Sequence, residues 1–341
     1  MLILRPVGPS DLDALSQLAK QLDSVNLPSD RAFLETRIED SVTSFTRELA
    51  DWRVGIYIFM LEDTDEKRCV GTSLIFAKHG RPGRPFYWLE VFSEERHSPE
   101  LQYRFVHTKL RLRSTEDGPS EIGGLILDPA YRRHPLRCGK ALSIVRFAFM
   151  SAHPERFERE VVAEMLSPFD APGKNRLWEA FGAKFTGLSY READRLSART
   201  KQFISDLFPQ DPVYATLFPE AVQAVIGRPN DSAVAAVHIL EKIGFRYLNQ
   251  VDPFDGGPYY GAARDAITSV RERRELVLPG SPPKSADSKQ GPLVLLSAEG
   301  ELGFRATVVP LDAEHSPVVT KACREVLGVK SGNRVSVTPL P

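Results

Sequence analysis

Cysteine is scarce: Cys69, Cys138 and Cys323 are the three in 341 residues. An odd number of widely spaced thiols supplies neither a disulfide framework nor the ligand spacing of a structural zinc site, so reduced cysteines and no structural metal are expected. An excess of charge of one sign is also missing. The 44 Lys and Arg against 45 Asp and Glu leave a net charge of -1, which advertises neither nucleic acid nor an anionic membrane as a partner. Long apolar runs are absent, so no segment reaches the length of a membrane span. Met1 to Asp11 carries Arg5 and Pro6 and lacks the apolar centre of a secretory leader. A soluble, cytoplasmic protein is the expectation. What is present is ordinary globular composition, 42% hydrophobic and 26% charged, in a chain of 341 residues. That length predicts a sizeable core and two domains, or a duplicated one with an appendage.

Periodicity gives the order of elements. The stretch "LILRP" alternates as a strand, Gly8-Pro9 turns, and Leu12, Leu15, Leu18 and Leu22 recur at helical spacing behind Ser10 as N-cap. A second helix is predicted over "FLETRIEDSVTSFTREL", then strands in "GIYIFMLED", "CVGTSLIFAKHG", "FYWLEVFSEE" and "EIGGLILDP". A helix from about Gly139 to Ser151 follows, then the strand "REVVAEM", then "NRLWEAFGAKF", read as a helix turning into a strand at Gly182. "RLWEAFGAKF" and "HILEKIGFRY" share a shape, helix, C-cap glycine, apolar strand, that suggests two similar halves. Residues 278–292 are rich in Pro, Ser, Gly and Lys and read as a linker, and 293–341 as a small terminal β element.

One loop is chemically marked. In "EIGGLILDPAYRRHPLRCGKAL", residues 121–142, a short apolar strand closes at Asp128-Pro129 and three arginines precede a glycine at a helix start. A P-loop requires Gly, four residues, then Gly-Lys-Ser/Thr, but Ala141 follows Gly139-Lys140 and no glycine lies five residues earlier. The dinucleotide fingerprint Gly-x-Gly-x-x-Gly is absent as well. There remains a strand, a basic loop and Gly-x-Ala opening a helix, where unpaired N–H groups and the helix dipole face an anion.

Cys138-Gly139-Lys140-Ala141 resembles the second half of the Gln/Arg-x-x-Gly-x-Gly/Ala pyrophosphate motif of the Gcn5-related N-acyltransferase superfamily, with Leu136 in place of its first polar residue. "RPV", "LDPAYR", "VVAEM", "LWEAFGAKF", "VIG", "LEKIGFRY" and "DPFDGGP" occur in an order and spacing similar to those of the arginine N-succinyltransferase family, from Met1 to about Val270. The resemblance implies an α/β fold, a tandem acyltransferase-like mixed sheet with a small C-terminal β element. Residues 1–190 would form an acyl-CoA-binding domain, 191–277 a second partial half, 278–292 a linker and 293–341 the β element. It further implies succinyl transfer from succinyl-CoA to the α-amine of arginine or ornithine in arginine catabolism. Succinyl-CoA would be a co-substrate, with no permanently bound cofactor. The alternatives are a different amine, or a non-catalytic acyl-CoA-binding subunit. Partners would be the amine and acyl-CoA, with no nucleic acid and no membrane; association with itself or a related subunit stays open.

The chemistry selects candidates. An α-amine of pKa about 8 is mostly protonated at neutral pH, so transfer needs a proton acceptor and donors for the oxyanion. The resemblance puts Leu125, Ile126 and Leu127 in main-chain contact with the donor at a bulged strand, and gives Arg132, Arg133, Arg137, Cys138, Gly139, Lys140 and Ala141 to the CoA phosphates. A solvated basic turn explains the same arginines. The family's histidine, three residues after Val-Ile-Gly, is Asn230 here, and an amide accepts no proton. Asn230 is equally a candidate N-cap of the following helix. His238, Glu121 and Glu164 are the other candidates for proton transfer; His238 also reads as a partly buried helix residue, and Glu164 as a structurally paired carboxylate. Asp255 either clasps a guanidinium or amine or simply forms the Asp-Gly-Gly turn. The family's glycine-rich stretch ending in Leu-Thr-Ser-Leu-Pro is reduced to Asp23-Ser24-Val25-Asn26-Leu27-Pro28, and that loop shape changes with the glycines gone.

Overall fold

A computed structural model of the chain describes residues 1–21, 30–171, 173–197, 200–280 and 291–341. The strands are β1 (Leu2–Pro6), β2 (Ile56–Asp63), β3 (Arg68–Phe76), β4 (Phe86–Ser98), β5 (Tyr103–Thr115), β6 (Ser120–Leu127), β7 (Glu160–Glu164), β8 (Val213–Tyr214), β9 (Arg246–Val251), β10 (Pro258–Ala263), β11 (Arg274–Val277), β12 (Leu293–Gly300), β13 (Gly303–Pro310) and β14 (Arg334–Pro339). They join in one mixed sheet of order β11-β14-β12-β13-β1-β2-β3-β6-β7-β10-β9-β4-β5-β8. Neighbours are antiparallel except β6 and β7, which run parallel. The helices are α1 (Leu12–Ala19), α2 (Arg31–Thr46), α3 (Cys138–Ala152), α4 (Ala183–Thr186), α5 (Tyr190–Ser197), α6 (Gln202–Leu207), α7 (Glu220–Gln223), α8 (Val234–Lys242), α9 (Thr268–Arg271) and α10 (Lys321–Leu327).

Strand β2 shows why its apolar run is continuous. Tyr57, Phe59 and Leu61 face the core built on α3, while Ile56, Ile58 and Met60 face the core of α1 and α2. Successive side chains leave opposite faces of a strand, so a strand covered on both faces carries apolar residues at every position. Helix α3 is buried from Ala141 through Met150, as its position between the sheet and α8–α9 requires. A second core joins β4, β5 and β9 to residues 177–225, with Trp178 stacked on Phe254 at 5.1 Å.

The structure corrects the predicted elements in two places. No strand follows Gly182. Trp178–Gly182 is a π-helical turn that continues into α4; Gly182 has helical dihedrals, and glycine stands there because a Cβ would collide with the Trp178 ring. The repeated helix-glycine-strand shape therefore holds only at Gly244, which has φ 109° and leads into β9. The other correction is β5, which was not anticipated; its outer residues 103–106 are all exposed, Tyr103, Phe105 and Val106 among them. The loop at 23–28, and 281–290 of the expected linker, lie outside the described residues. Among the described residues no helix is long and apolar enough to cross a membrane.

Candidate active site

The site grows from a defect in β6. Its pairing with β3 runs Phe76↔Glu121, Ile75↔Ile122, Leu74↔Gly123, then slips so that Thr72 meets Ile126. Gly124 takes the extra residue at φ 56°, a left-handed conformation that favours glycine. On the other edge, β7 pairs with β6 only at Ser120↔Val161 and Glu121↔Val162. Past those pairs the two parallel strands part, and β7 continues with β10 through Glu164↔Tyr259. Beyond those pairs the main chain of residues 123–127 pairs with β3 on one side and with no residue of β7 on the other. Leu125 and Leu127 line this stretch half-buried, and Ile126 turns its side chain into the α1–α2 core.

This edge of β6 runs on to the start of α3. Asp128 accepts from the Ala130 N–H at 2.9 Å and from Arg68 at 2.8 Å, which closes β6 and turns the chain. Tyr131 is buried, donates to Asp63 at 2.7 Å and stacks on His134. Arg137 holds the N-cap position in the left-handed conformation, φ 52°, and makes no side-chain cap. The Lys140 N–H donates to Arg137 O at 2.9 Å, so in the first turn of α3 it is the Cys138 and Gly139 N–H groups that face outward for a ligand. Gly139 is open: a Cβ there would meet only Leu127 Cδ2, at 3.7 Å. Arg132, Arg133 and Arg137 are exposed around this turn. Lys140 donates to the Pro341 carbonyl, and its pKa is lowered by burial and by Arg137 and Lys242. Cys138 and Ala141 are packing residues; burial pushes the Cys138 thiol up to about 11, which keeps it unreactive.

Opposite α3, the same strands build a chamber of carboxylates. Ile122, Ala163 and Tyr260 belong to the α3 core, so Glu121, Glu164 and Tyr259, one position along, face the other way. Glu164, Asp252 and Asp255 bring carboxylate oxygens within 4.8 Å of one another. The Tyr259 hydroxyl lies 3.3 Å from Glu164 and 3.5 Å from Asp252. Burial raises all three acids: Glu164 well above the usual carboxylate range with repulsion from Asp252 and Asp255 added, Asp255 to about 7 with repulsion from Asp252 added, and Asp252 upward against the pull of Lys201. Glu121 adds its charge to theirs. Among the described residues this trio is close enough to share one cation, an ammonium, a guanidinium or a metal ion.

The predicted site residues divide sharply. Glu121 and Glu164 come together here. Asp255 joins them, but as the turn residue: it accepts from the Ser167 N–H at 2.9 Å and the Gly257 N–H at 2.6 Å. Asn230 borders the chamber, since its N–H donates to Leu166 O at 2.8 Å, just past β7. Its Oδ1 accepts from Ala233 N–H at 2.9 Å and Ser232 Oγ at 2.8 Å, which is a local cap. His238 is not brought to the site and is not partly buried: its side chain is 69% exposed and sits 3.6 Å from Glu241 on α8. Sequence reasoning missed Asp252, Tyr259 and His79. Asp252 opens "DPFDGGP", where its Oδ1 accepts from the Phe254 N–H at 2.7 Å, and that turn pattern was the available signal. Nothing in the sequence around His79 marks it, because its partner, Glu121, is 42 positions away.

Comparison with known proteins bears on this geometry. A family model described as "Arginine N-succinyltransferase beta subunit" matches residues 2–269. The arginine N-succinyltransferase of Citrobacter koseri is 34% identical over 345 residues, covering 100% of this chain and 98% of that one. The protein of the same name from Escherichia coli O1:K1 is 33% identical over 344 residues, with 100% and 98% covered. Among solved structures, arginine/ornithine succinyltransferase subunit AI from Pseudomonas aeruginosa superposes with a TM-score of 0.85 at 29% identity, covering 100% of this chain and 99% of that one.

Proposed function

The chain belongs to the arginine N-succinyltransferase family, and from that premise we propose that it transfers a succinyl group from succinyl-CoA to the α-amine of arginine or ornithine. The observation that carries the reading is the parting of β6 and β7 beyond Glu121 and Val162. That parting would let an open main-chain edge, the start of α3 and the carboxylate chamber serve one site. Pantetheine would lie against residues 123–127, where N–H groups at the bulge can polarise the thioester carbonyl. The CoA pyrophosphate would sit at the α3 N-terminus beside Gly139 and the exposed arginines. Arginine and ornithine each carry two cationic groups, and a chamber holding Glu164, Asp252 and Asp255 suits such an acceptor. A CoA thioester donor and three free cysteines fit a cytoplasmic setting.

The test is thiol release from succinyl-CoA and acetyl-CoA with arginine, ornithine, lysine and buffer alone, with the acylated amine identified by mass spectrometry. Release with succinyl-CoA and arginine or ornithine, well above the other combinations, is the expected outcome. Saturable binding of succinyl-CoA without CoA release in the presence of any of these amines would make the chain a binding subunit and end the enzyme reading.

A further inference from the structure

A histidine other than the one the family motif leads to stands at the chamber. His79 lies three residues past β3, and its Nδ1 meets the Glu121 carboxylate. The residue is held on other sides too: the His79 backbone N–H donates to Pro119 O at 2.7 Å, and the imidazole packs on Phe86 at 4.7 Å. Phe86 in turn lies edge-on to Tyr259 at 5.2 Å, which ties His79 to the chamber wall. The His79 side chain keeps 21% of its exposure while Glu121 keeps 1%. Glu121 occupies the last register pair before β6 and β7 part, two residues before the bulge.

The surrounding charges make this contact consequential. Glu164 and Asp252 act on Glu121 from β7 and the end of β9, and Tyr259 faces it from β10. Lys78, next to His79 in the chain, is tied to Asp117 and Glu158, and Lys201 acts on Glu164 and Asp252. A buried glutamate crowded by carboxylates tends to keep its proton and then accepts none. An imidazole that presents an Nδ1 proton to it reverses that tendency and fixes the carboxylate in place.

We propose that His79 is a positioning residue for acyl transfer: through Nδ1 it holds the Glu121 carboxylate ionised at the edge of the chamber, and the pair takes the proton that the acceptor amine gives up. This rests on the acyltransferase reading above. In the step, the amine lone pair forms the C–N bond at the thioester carbonyl, and the C–S bond breaks with its electrons leaving on sulfur. The proton lost by nitrogen passes to the Glu121–His79 pair and then to the thiolate, giving free CoA. Asn230, which has no proton to exchange, is thereby excused from the role its position suggests.

The test compares wild type, His79→Gln, His79→Ala and Glu121→Gln, with thermal melts to confirm folding. His79→Gln and Glu121→Gln are each expected to lower kcat about 100-fold or more while KM for succinyl-CoA changes by less than about threefold, since Gly139 and the arginines are untouched. The acidic limb of the kcat/KM profile should move in His79→Gln, and added imidazole should restore part of the rate of His79→Ala. Nitrogen-15 NMR of the histidine rings, which needs no turnover, should show a proton on Nδ1 of His79 in wild type and its signal displaced in Glu121→Gln. An active wild type with an equally active His79→Gln, or a ring protonated on Nε2 alone, overturns the proposal. A wild type that releases no CoA at all overturns the acyltransferase reading, and this role with it.

Discussion

Glu164 is the residue at which stability and function conflict most plainly. Its carboxylate is raised by burial and by Asp252 and Asp255, so the folded protein holds protons there that the unfolded chain would release. A carboxyl whose folded pKa is raised costs stability as pH climbs from its unfolded value through its folded one, which for Asp255 is about 7. The empty protein should therefore lose stability between about pH 4 and 7, and Glu164→Gln should flatten that loss and gain about 1 kcal/mol at pH 8. The same substitution should raise KM for arginine at least tenfold; denaturant melts across pH and steady-state kinetics read the two effects separately. Asn230→His tests the opposite case. It restores the family's residue but removes the Oδ1 that shares the Ala233 N–H with the Asn230 carbonyl, so a loss of no more than about 1 kcal/mol without a gain in kcat is expected. Of the candidate residues, Glu121, Glu164 and Asp255 were legible because each interrupts an apolar strand or a glycine turn. His79 was not, since a histidine before a glycine carries no pattern until the sheet brings Glu121 to it.

The informative elements are β6 and the helix that follows it. Two glycines in this segment serve different ends, and substitution separates them. Gly124 has φ 56°, and a Cβ there would press on Leu74 Cδ2 at 2.8 Å, so Gly124→Ala should destabilise the fold by about 1–3 kcal/mol and blunt the bulge. Gly139 has ordinary helical space, so Gly139→Ala should leave the melting temperature within about 1 °C, the scale of a change well under 0.5 kcal/mol. Its KM for succinyl-CoA should nonetheless rise severalfold if the pyrophosphate approaches the main chain here. An unchanged KM for succinyl-CoA in Gly139→Ala would remove Gly139 from the donor site. The strand, loop and helix were readable from "EIGGLILDPAYRRHPLRCGKAL" because their signals are local: an apolar run, Asp-Pro, and helical spacing. Residues 176–185 were misread because glycine there answers to the Trp178 ring rather than to a turn.

Across the whole molecule, one sheet joins the ends of the chain. Strand β13 pairs with β1 at Ala306↔Leu4, and Thr307 Oγ1 donates to Leu2 O at 2.7 Å. Leu295, Phe304, Ala306 and Val308 belong to the same core as Phe59, Phe149 and the α3 residues, with Phe304 at 5.1 Å from Phe149. Removing residues 293–341 would uncover β1 as an edge and open this core, so the shortened chain is expected to be insoluble or to melt far below the full protein. Equal solubility and melting temperature would show the segment to be a mere appendage. Composition, period and short motifs by themselves determined that the chain is a mixed α/β protein, that a basic loop with a glycine opens α3, and that its resemblance is to the arginine N-succinyltransferase family. These depend on residues within a few turns of one another. The tertiary structure alone decided which acids share the chamber, that Asn230 is capped away and His238 turned to solvent, and that His79 meets Glu121. Those contacts join residues tens to hundreds of positions apart, and only the sheet's register fixes which of them meet.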